Sequence, residues 1–142
     1  IIQLGASTKS LGVGASTIEM GIPVVGAASN GQSLLDGEWP VADHKFCFVH
    51  DNPYDQNDCR AFLVEDDHAI ELGYPKGTMV VGVKVEKVGR DLRAGDHVVV
   101  QRPVNDHPTL LETRVVVLTN HNLNLPHIIY AVFSAMVARS LN

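Results

Sequence analysis

The side chains best suited to chemistry lie in one short polar stretch, Asp66-Asp67-His68. Histidine is the commonest metal ligand and a general acid or base near neutral pH, and two adjacent carboxylates could complete a metal site. A solvated loop tip carries the same residue types, however, and sequence spacing alone defines no ligand geometry. The sequence therefore favours a plain polar loop and leaves a metal-dependent hydrolase as the alternative.

Other catalytic groupings have less support. The remaining histidines occur singly, without His-x-His or Glu-x-x-His spacing: 44, 50, 97, 107, 121 and 127. Thr78 and Thr113 carry hydroxyls, but neither has a candidate base nearby in the sequence, and threonine is common in strands. Cys47 and Cys59 form no CxxC motif, so we expect structural thiols in a reducing compartment. No metal or cofactor site is predicted.

Short apolar runs separated by turn-forming residues recur along the chain and indicate strands. They occupy residues 22–26, 46–49, 60–64, 78–83, 97–101 and 112–118. Residues 128–138 are also apolar, and their periodicity fits either a strand or a short helix. Residues 103–108 form a turn cluster. The pattern predicts an all-β fold of mainly antiparallel strands, as a β-sandwich or a partly open barrel.

Length and charge narrow the class of protein. The 142 residues fit one domain with a substantial core, and a net charge of −5 does not favour a nucleic-acid-binding face. No apolar run approaches the roughly 20 residues of a membrane span, so we expect no membrane association. Residues 1–21, rich in small and hydroxyl side chains, predict a linker or extended arm before a domain at 22–142. Because the chain starts at Ile1 rather than methionine, we expect it to be a piece of a longer protein.

Four motifs follow one another in an order that resembles a known family. They are Pro23-Val24-Val25-Gly26, Tyr74-Pro75-Lys76-Gly77-Thr78, Gly95-Asp96-His97-Val98-Val99-Val100 and Glu112-Thr113-Arg114-Val115. Over roughly residues 22–138 they resemble the C-terminal domain of LexA and lambda-like phage repressors. The resemblance implies a signal-peptidase-like β fold in the cytoplasm of a bacterial host. It also implies a homodimer or higher oligomer, and a helix-turn-helix DNA-binding domain outside this chain.

The nucleophile of that family is missing here. Its members cleave themselves with a serine activated by a neutral lysine. Where the family has Gly-Asp-Ser-Met, this chain has Asp66-Asp67-His68-Ala69. Counting forward from the aspartates puts His68 at the serine position, whereas counting back from Tyr74 puts Ala69 there. No serine occurs between Ser33 and Ser134, so neither alignment restores one.

The base and the cleavable bond are missing as well. Val116 stands at the lysine position, and no lysine follows Lys87. Arg114 cannot substitute, because a guanidinium stays charged and accepts no proton. Asn30-Gly31 stands where the family has its scissile Ala-Gly pair. The sequence therefore predicts that this protein is not an enzyme of the Ser-Lys type.

Two classes of function follow. The first is the oligomerisation domain of a phage-type repressor, which pairs with itself, reaches DNA only through its missing domain, and is induced by an antirepressor protein. Its self-association residues would come from the last apolar run: Ile129, Tyr130, Val132, Phe133 and Met136. The second is a divergent autopeptidase or a metal-dependent hydrolase that uses His68 with Asp66 and Asp67. A stress or toxin–antitoxin regulator of the same fold is a third, weaker possibility.

Overall fold

The computed structural model describes residues 21–29, 39, 43–104, 107–123 and 127–137, with residues 104 and 107–111 described by their backbone alone. Its seven strands are β1 (Ile22–Ala28), β2 (Lys45–Cys47), β3 (Cys59–Val64), β4 (Thr78–Lys84), β5 (His97–Val104), β6 (His107–Val117) and β7 (Ile128–Val137). The all-β prediction is confirmed. The predicted linker, apart from Gly21, and the Asn30-Gly31 pair lie outside the described residues.

The strands form one open sheet in the order β2-β1-β3-β4-β7-β5-β6, not a closed barrel. Each neighbouring pair is antiparallel except β1 and β3, which run parallel. The chain leaves β1, forms β2 on one side of it, and returns to form β3 on the other. This arrangement places β2 and β6 at the two ends of the strand order.

The central strands bury both of their faces. On β4, six consecutive residues from Thr78 to Val83 are buried. Met79, Val81 and Val83 face an outer cluster that includes Cys59 and Ala61, whereas Val80 faces an inner cluster that includes Phe62. A strand with both faces buried has no polar alternation, which explains the continuous apolar run in this part of the sequence.

The sheet curls until β6, at one end of the strand order, touches the end of β1. The N–H of Ser29, just after β1, donates to the carbonyl of Thr113 on β6 at 2.9 Å. The Val115 side chain joins the inner cluster together with Val25 and Phe62. The inner cluster therefore lies between the two halves of one curved sheet, and β6 lies over β1.

One segment differs from its sequence prediction, and for another the structure decides between the two predicted alternatives. Residues 103–108 were predicted as a turn, but β5 extends to Val104 and β6 begins at His107. The β5–β6 ladder continues through Pro103 and is irregular between Pro103 and Val104, and a bulge is where a proline fits into a strand. Residues 128–138 could have formed a strand or a helix. They form β7, which lies between β4 and β5.

The two cysteines are buried and free. Cys47 lies on β2 and Cys59 on β3, with β1 between them in the sheet. Two strand spacings amount to about 10 Å, whereas a disulfide requires Cα atoms roughly 4.4–6.8 Å apart. The pair therefore cannot be bridged in this fold.

The helical turns after β2 are each three residues long, at Gln56–Asp58, Ile70–Leu72 and Val85–Lys87. Within the described ranges, no helix has the length and apolar character needed to span a membrane.

Candidate functional site

The candidate site is the connection between β3 and β4, residues 65–77, which we call the 65–77 loop. Its base is closed by the N–H of Gly77, which donates to the carbonyl of Val64 at 2.8 Å. Inside it, a single helical turn ends at Gly73, whose φ of 94° lies in the left-handed region that glycine adopts without strain. The N–H of Tyr74 then donates to the carbonyl of Ala69 at 3.1 Å. The loop is therefore a folded unit rather than an open tip.

The two aspartates help to build the loop. Asp66 Oδ1 accepts from the backbone N–H of His68 at 3.1 Å and contacts Nδ1 of the same histidine at 2.6 Å. Asp67 Oδ1 accepts instead from the backbone N–H of Lys76 at 3.3 Å. The two carboxylates therefore have different partners within the loop.

The ring of His68 is buried between the loop and β6. Its side chain is 1% exposed, and its Nε2 lies 3.1 Å from the backbone nitrogen of Val115. A backbone N–H can only donate, so Nε2 must be the acceptor and carry no proton. The proton of a neutral ring then sits on Nδ1 and is donated to Asp66. The hydrogen bonds therefore define one neutral tautomer of His68.

This arrangement leaves His68 poorly suited to catalysis or metal binding. Both ring nitrogens are engaged, one as donor and one as acceptor, so neither offers a lone pair to a metal or a substrate proton. Within the part of the chain that the structure describes, no group of three or more His, Cys, Asp or Glu side chains is placed to hold a metal. A cleft of about 380 Å³ is lined by Leu63, Val64, Glu65, Lys76 and Gly77, beside the base of the loop.

A second histidine contact ties the same loop to β5. The hydroxyl of Tyr74 lies 2.6 Å from Nδ1 of His97, and the two rings meet edge to face with centroids 5.3 Å apart. Burial raises the pKa of Tyr74, which keeps its hydroxyl protonated and able to donate. The sequence shows His97 as an isolated histidine, because no local pattern links residues 23 positions apart. The loop is therefore anchored to both strands of the β5–β6 hairpin.

The two positions at which the resemblance would put a serine and a lysine, His68 and Val116, lie close along the backbone, but their side chains point apart. The His68 ring contacts Val115, which is adjacent to Val116. Val116 packs with Val98 and Val100 in a separate apolar cluster, because successive strand residues point to opposite faces. Ala69, the other candidate for the serine position, is buried in the inner cluster. Neither alignment therefore places two reactive groups opposite each other.

The five predicted self-association residues differ in accessibility. Tyr130 is buried and packs against Phe62, with ring centroids 5.6 Å apart. Phe133 is partly buried and meets the ring of Tyr54 edge to face at 5.0 Å. Val132 and Met136 are also partly buried against the core clusters. Ile129 is 36% exposed. Most of this set therefore supports the core of its own chain.

The second half of β7 nevertheless presents a strand edge. Its ladder with β5 ends where Ala131 pairs with Val98. From Val132 to Val137, the ladders among the described residues join β7 to β4 alone. Val137, at the end of this stretch, is 70% exposed. A strand edge beside exposed apolar side chains is a surface that another strand can pair with.

No protein-family model matches the chain, and neither the curated proteins nor the solved structures contain a significant match to it.

Proposed function

We propose that this chain is the oligomerisation domain of a phage-type transcriptional repressor and does not cleave itself by the Ser-Lys mechanism. The observation that carries the proposal is the state of the 65–77 loop. At His68, one of the two positions at which the resemblance would put the nucleophile, the loop has a buried ring whose Nε2 accepts from the Val115 backbone at 3.1 Å. The loop thus has a structural contact where the resembling family has its reactive group.

The same contact disfavours the enzymatic alternative. A general base must have a lone pair within reach of the proton that it removes. In His68 that lone pair is directed at a backbone N–H, and the carboxylates of Asp66 and Asp67 bind groups within the loop. A hydrolase that used these residues would first have to break the contact between the loop and β6.

The assembly role is supported by β7. Residues 132–137 pair on the β4 side alone among the described residues, and Ile129 and Val137 expose apolar side chains. A second copy of the chain could add its own β7 to this edge, with hydrogen bonds along the backbone and apolar contacts beside them. We propose this edge as the surface of a homodimer or higher oligomer.

Dimerisation alone would be enough to regulate operator occupancy. In the proposed protein, a helix-turn-helix domain outside this chain reads the operator. Joining two such domains raises the effective concentration of the second at its half-site once the first has bound. Without self-cleavage, induction requires another route, and we propose an antirepressor protein that binds this domain.

Assembly is tested by sedimentation equilibrium of the wild type and of Val137→Lys and Ile129→Lys. Lysine at Val137 opposes pairing along the exposed edge, and lysine at Ile129 places a charge at the other exposed apolar side chain of β7, so both variants should dissociate at concentrations where the wild type is oligomeric. The matched control is Phe48→Lys, which changes a side chain that is 64% exposed beyond β2. A wild type that stays monomeric at high micromolar concentration overturns the proposal. Dissociation by Phe48→Lys alone would move the interface to β2.

Self-cleavage is tested by incubating the full-length protein at alkaline pH and following its mass. We expect the chain to remain intact on both sides of Asn30-Gly31. A specific cut near this pair that disappears in His68→Gln would establish a divergent autopeptidase. Repeating the incubation with added zinc and with a chelator tests the metal-dependent alternative, because only that enzyme would respond to either addition.

A further inference from the structure

Two histidines anchor the 65–77 loop to the β5–β6 hairpin, and they respond differently to a proton. His97 Nδ1 meets the hydroxyl of Tyr74, which can either donate or accept a hydrogen bond. His68 Nε2 meets the N–H of Val115, which can only donate. Protonation of His97 can therefore be accommodated by reversing the direction of one hydrogen bond. Protonation of His68 cannot.

We propose that His68 is a proton-sensitive latch, and that protonation of its Nε2 releases the 65–77 loop from β6 and uncovers the outer edge of that strand at Val115. The proposal does not depend on the function proposed above. It follows from the direction of two hydrogen bonds and from the burial of one ring.

The mechanism needs one proton and no other group. When Nε2 gains a proton, its N–H points at the N–H of Val115, so an attractive contact becomes a repulsive one. The ring also becomes a cation in a site where its side chain is 1% exposed, which strongly favours movement toward water. Its Nδ1–H still donates to Asp66 in either state. The contact within the loop survives while the contact with β6 is lost.

The neighbouring ionisable groups are compatible with this response. Asp66, on the same loop, favours the charged ring, and its side chain is 39% exposed, so solvent weakens that effect. The Asp67 carboxylate accepts a hydrogen bond from the backbone N–H of Lys76. On β5, the ionisable side chain that contacts the loop is His97, whose Nδ1 is bound to the hydroxyl of Tyr74. From β6, the group that faces the ring is a backbone amide, and Arg114 lies on the opposite face, beside Val100 and Val116.

The contact with His68 covers part of the outer edge of β6. β6 lies at the end of the strand order, and its outward groups at Thr113 and Val115 are covered by Ser29 and His68 respectively. An uncovered N–H on an edge strand is the group through which other strands add to a sheet. The switch therefore couples proton concentration to the exposure of this edge. Histidine is the side chain whose charge ordinarily changes between about pH 5 and 8, so this is the range in which to look for the switch.

Amide hydrogen exchange followed by NMR tests the latch at the affected atom. The readout is the protection factor of the Val115 amide between pH 8 and pH 5, compared with that of Val99, its partner on β5. In the wild type, we expect protection at Val115 to fall about tenfold at pH 5, corresponding to one hydrogen bond, while Val99 is unchanged. Equal protection of Val115 at both pH values would overturn the proposal.

Two variants supply matched controls. His68→Gln offers an amide oxygen that accepts at any pH, so protection at Val115 should lose its dependence on pH. His97→Gln removes the other histidine and should leave that dependence intact. A drop in His68→Gln equal to that of the wild type, or its disappearance in His97→Gln, would contradict the assignment to His68.

A measurement on the wild type keeps the proposal testable if His68→Gln does not fold. Nitrogen chemical shifts of the His68 ring should show a proton on Nδ1 alone at pH 8 and on both nitrogens at pH 5. The second proton should appear over the same pH range in which Val115 loses protection. A doubly protonated ring with Val115 still protected would refute the latch.

Discussion

His68 Nε2 accepts a hydrogen bond from the backbone N–H of Val115 at 3.1 Å, across 47 residues of sequence. The contact joins a loop between two central strands to the last strand of the sheet. It satisfies an N–H that faces away from β5 and defines the tautomer of the ring. The loop that resembles a catalytic loop in sequence is thereby a tether between distant parts of the fold.

Removing the His68 ring should be costly. In His68→Ala the Val115 N–H loses its acceptor and a buried ring leaves a void, so we expect the free energy of unfolding to fall by about 2–4 kcal/mol. Urea denaturation at pH 8 measures the change. Ile70→Ala, two positions away and 52% exposed in the wild type, should cost about 0.5 kcal/mol or less. Equal costs for the two variants would mean that the contact with β6 contributes nothing to stability.

Tyr74→Phe tests the hydrogen bond that joins the 65–77 loop to β5. It removes the hydrogen bond to His97 Nδ1 and keeps the edge-to-face ring contact, so we expect a loss of about 1 kcal/mol at pH 8. Burial raises the pKa of Tyr74 above its ordinary value near 10. Its contribution to stability is therefore complete below pH 10 and is lost as the pH rises through the higher folded-state pKa. Wild type and variant should converge in denaturation midpoint above pH 10, and a constant gap would contradict this.

Cys47 should be inert in the native protein. Burial, with a smaller effect of Cys59, raises the pKa of its thiol to about 11, and the thiolate is the form that reacts with thiol reagents. At pH 8 we expect a disulfide reagent to label neither cysteine until urea unfolds the chain, when both should react. Fast labelling of the native protein would contradict the burial of the two thiols.

The raised pKa of Cys47 also predicts a loss of stability in alkali. The favourable contribution of the neutral thiol is complete below about pH 9 and is lost as the pH rises through about 11. Cys47→Ala lacks this titration, so its denaturation midpoint should fall less steeply than that of the wild type between pH 9 and 11. Parallel curves would show that Cys47 does not titrate in this range.

Gly82 should tolerate no side chain. A Cβ at this position would lie 2.7 Å from the Cβ of Tyr130 and 3.2 Å from the carbonyl oxygen of Ala131, where β4 meets β7. We expect Gly82→Ala to lower the free energy of unfolding by about 3 kcal/mol, because the strands must separate. Gly73→Asn is the control. No atom lies near the new Cβ, and asparagine tolerates a positive φ better than most side chains, so the strain at a φ of 94° should cost only about 1 kcal/mol.

The positions of the strands could be predicted because they depend on local sequence. Each of the seven apolar runs, from residues 22–26 to 128–138, overlaps a strand of the structure. At residues 103–108 the local sequence predicts a turn, but pairing between β5 and β6 extends the ladder through Pro103. The parallel pairing of β1 with β3 had no local signal, because it depends on which strands meet after the chain has passed through β2.

The sequence by itself determined the strands and the residue types at positions 66–69 and 116, because residue types and apolar runs are local properties. Only the tertiary structure decided what the polar residues of the 65–77 loop do. Whether His68 is a ligand, a base or a tether depends on the atoms that face its two nitrogens. One of those atoms belongs to Val115, which reaches the ring only because the sheet curls and brings β6 over β1. Val116, the next residue, points away from the loop because adjacent strand residues point to opposite faces.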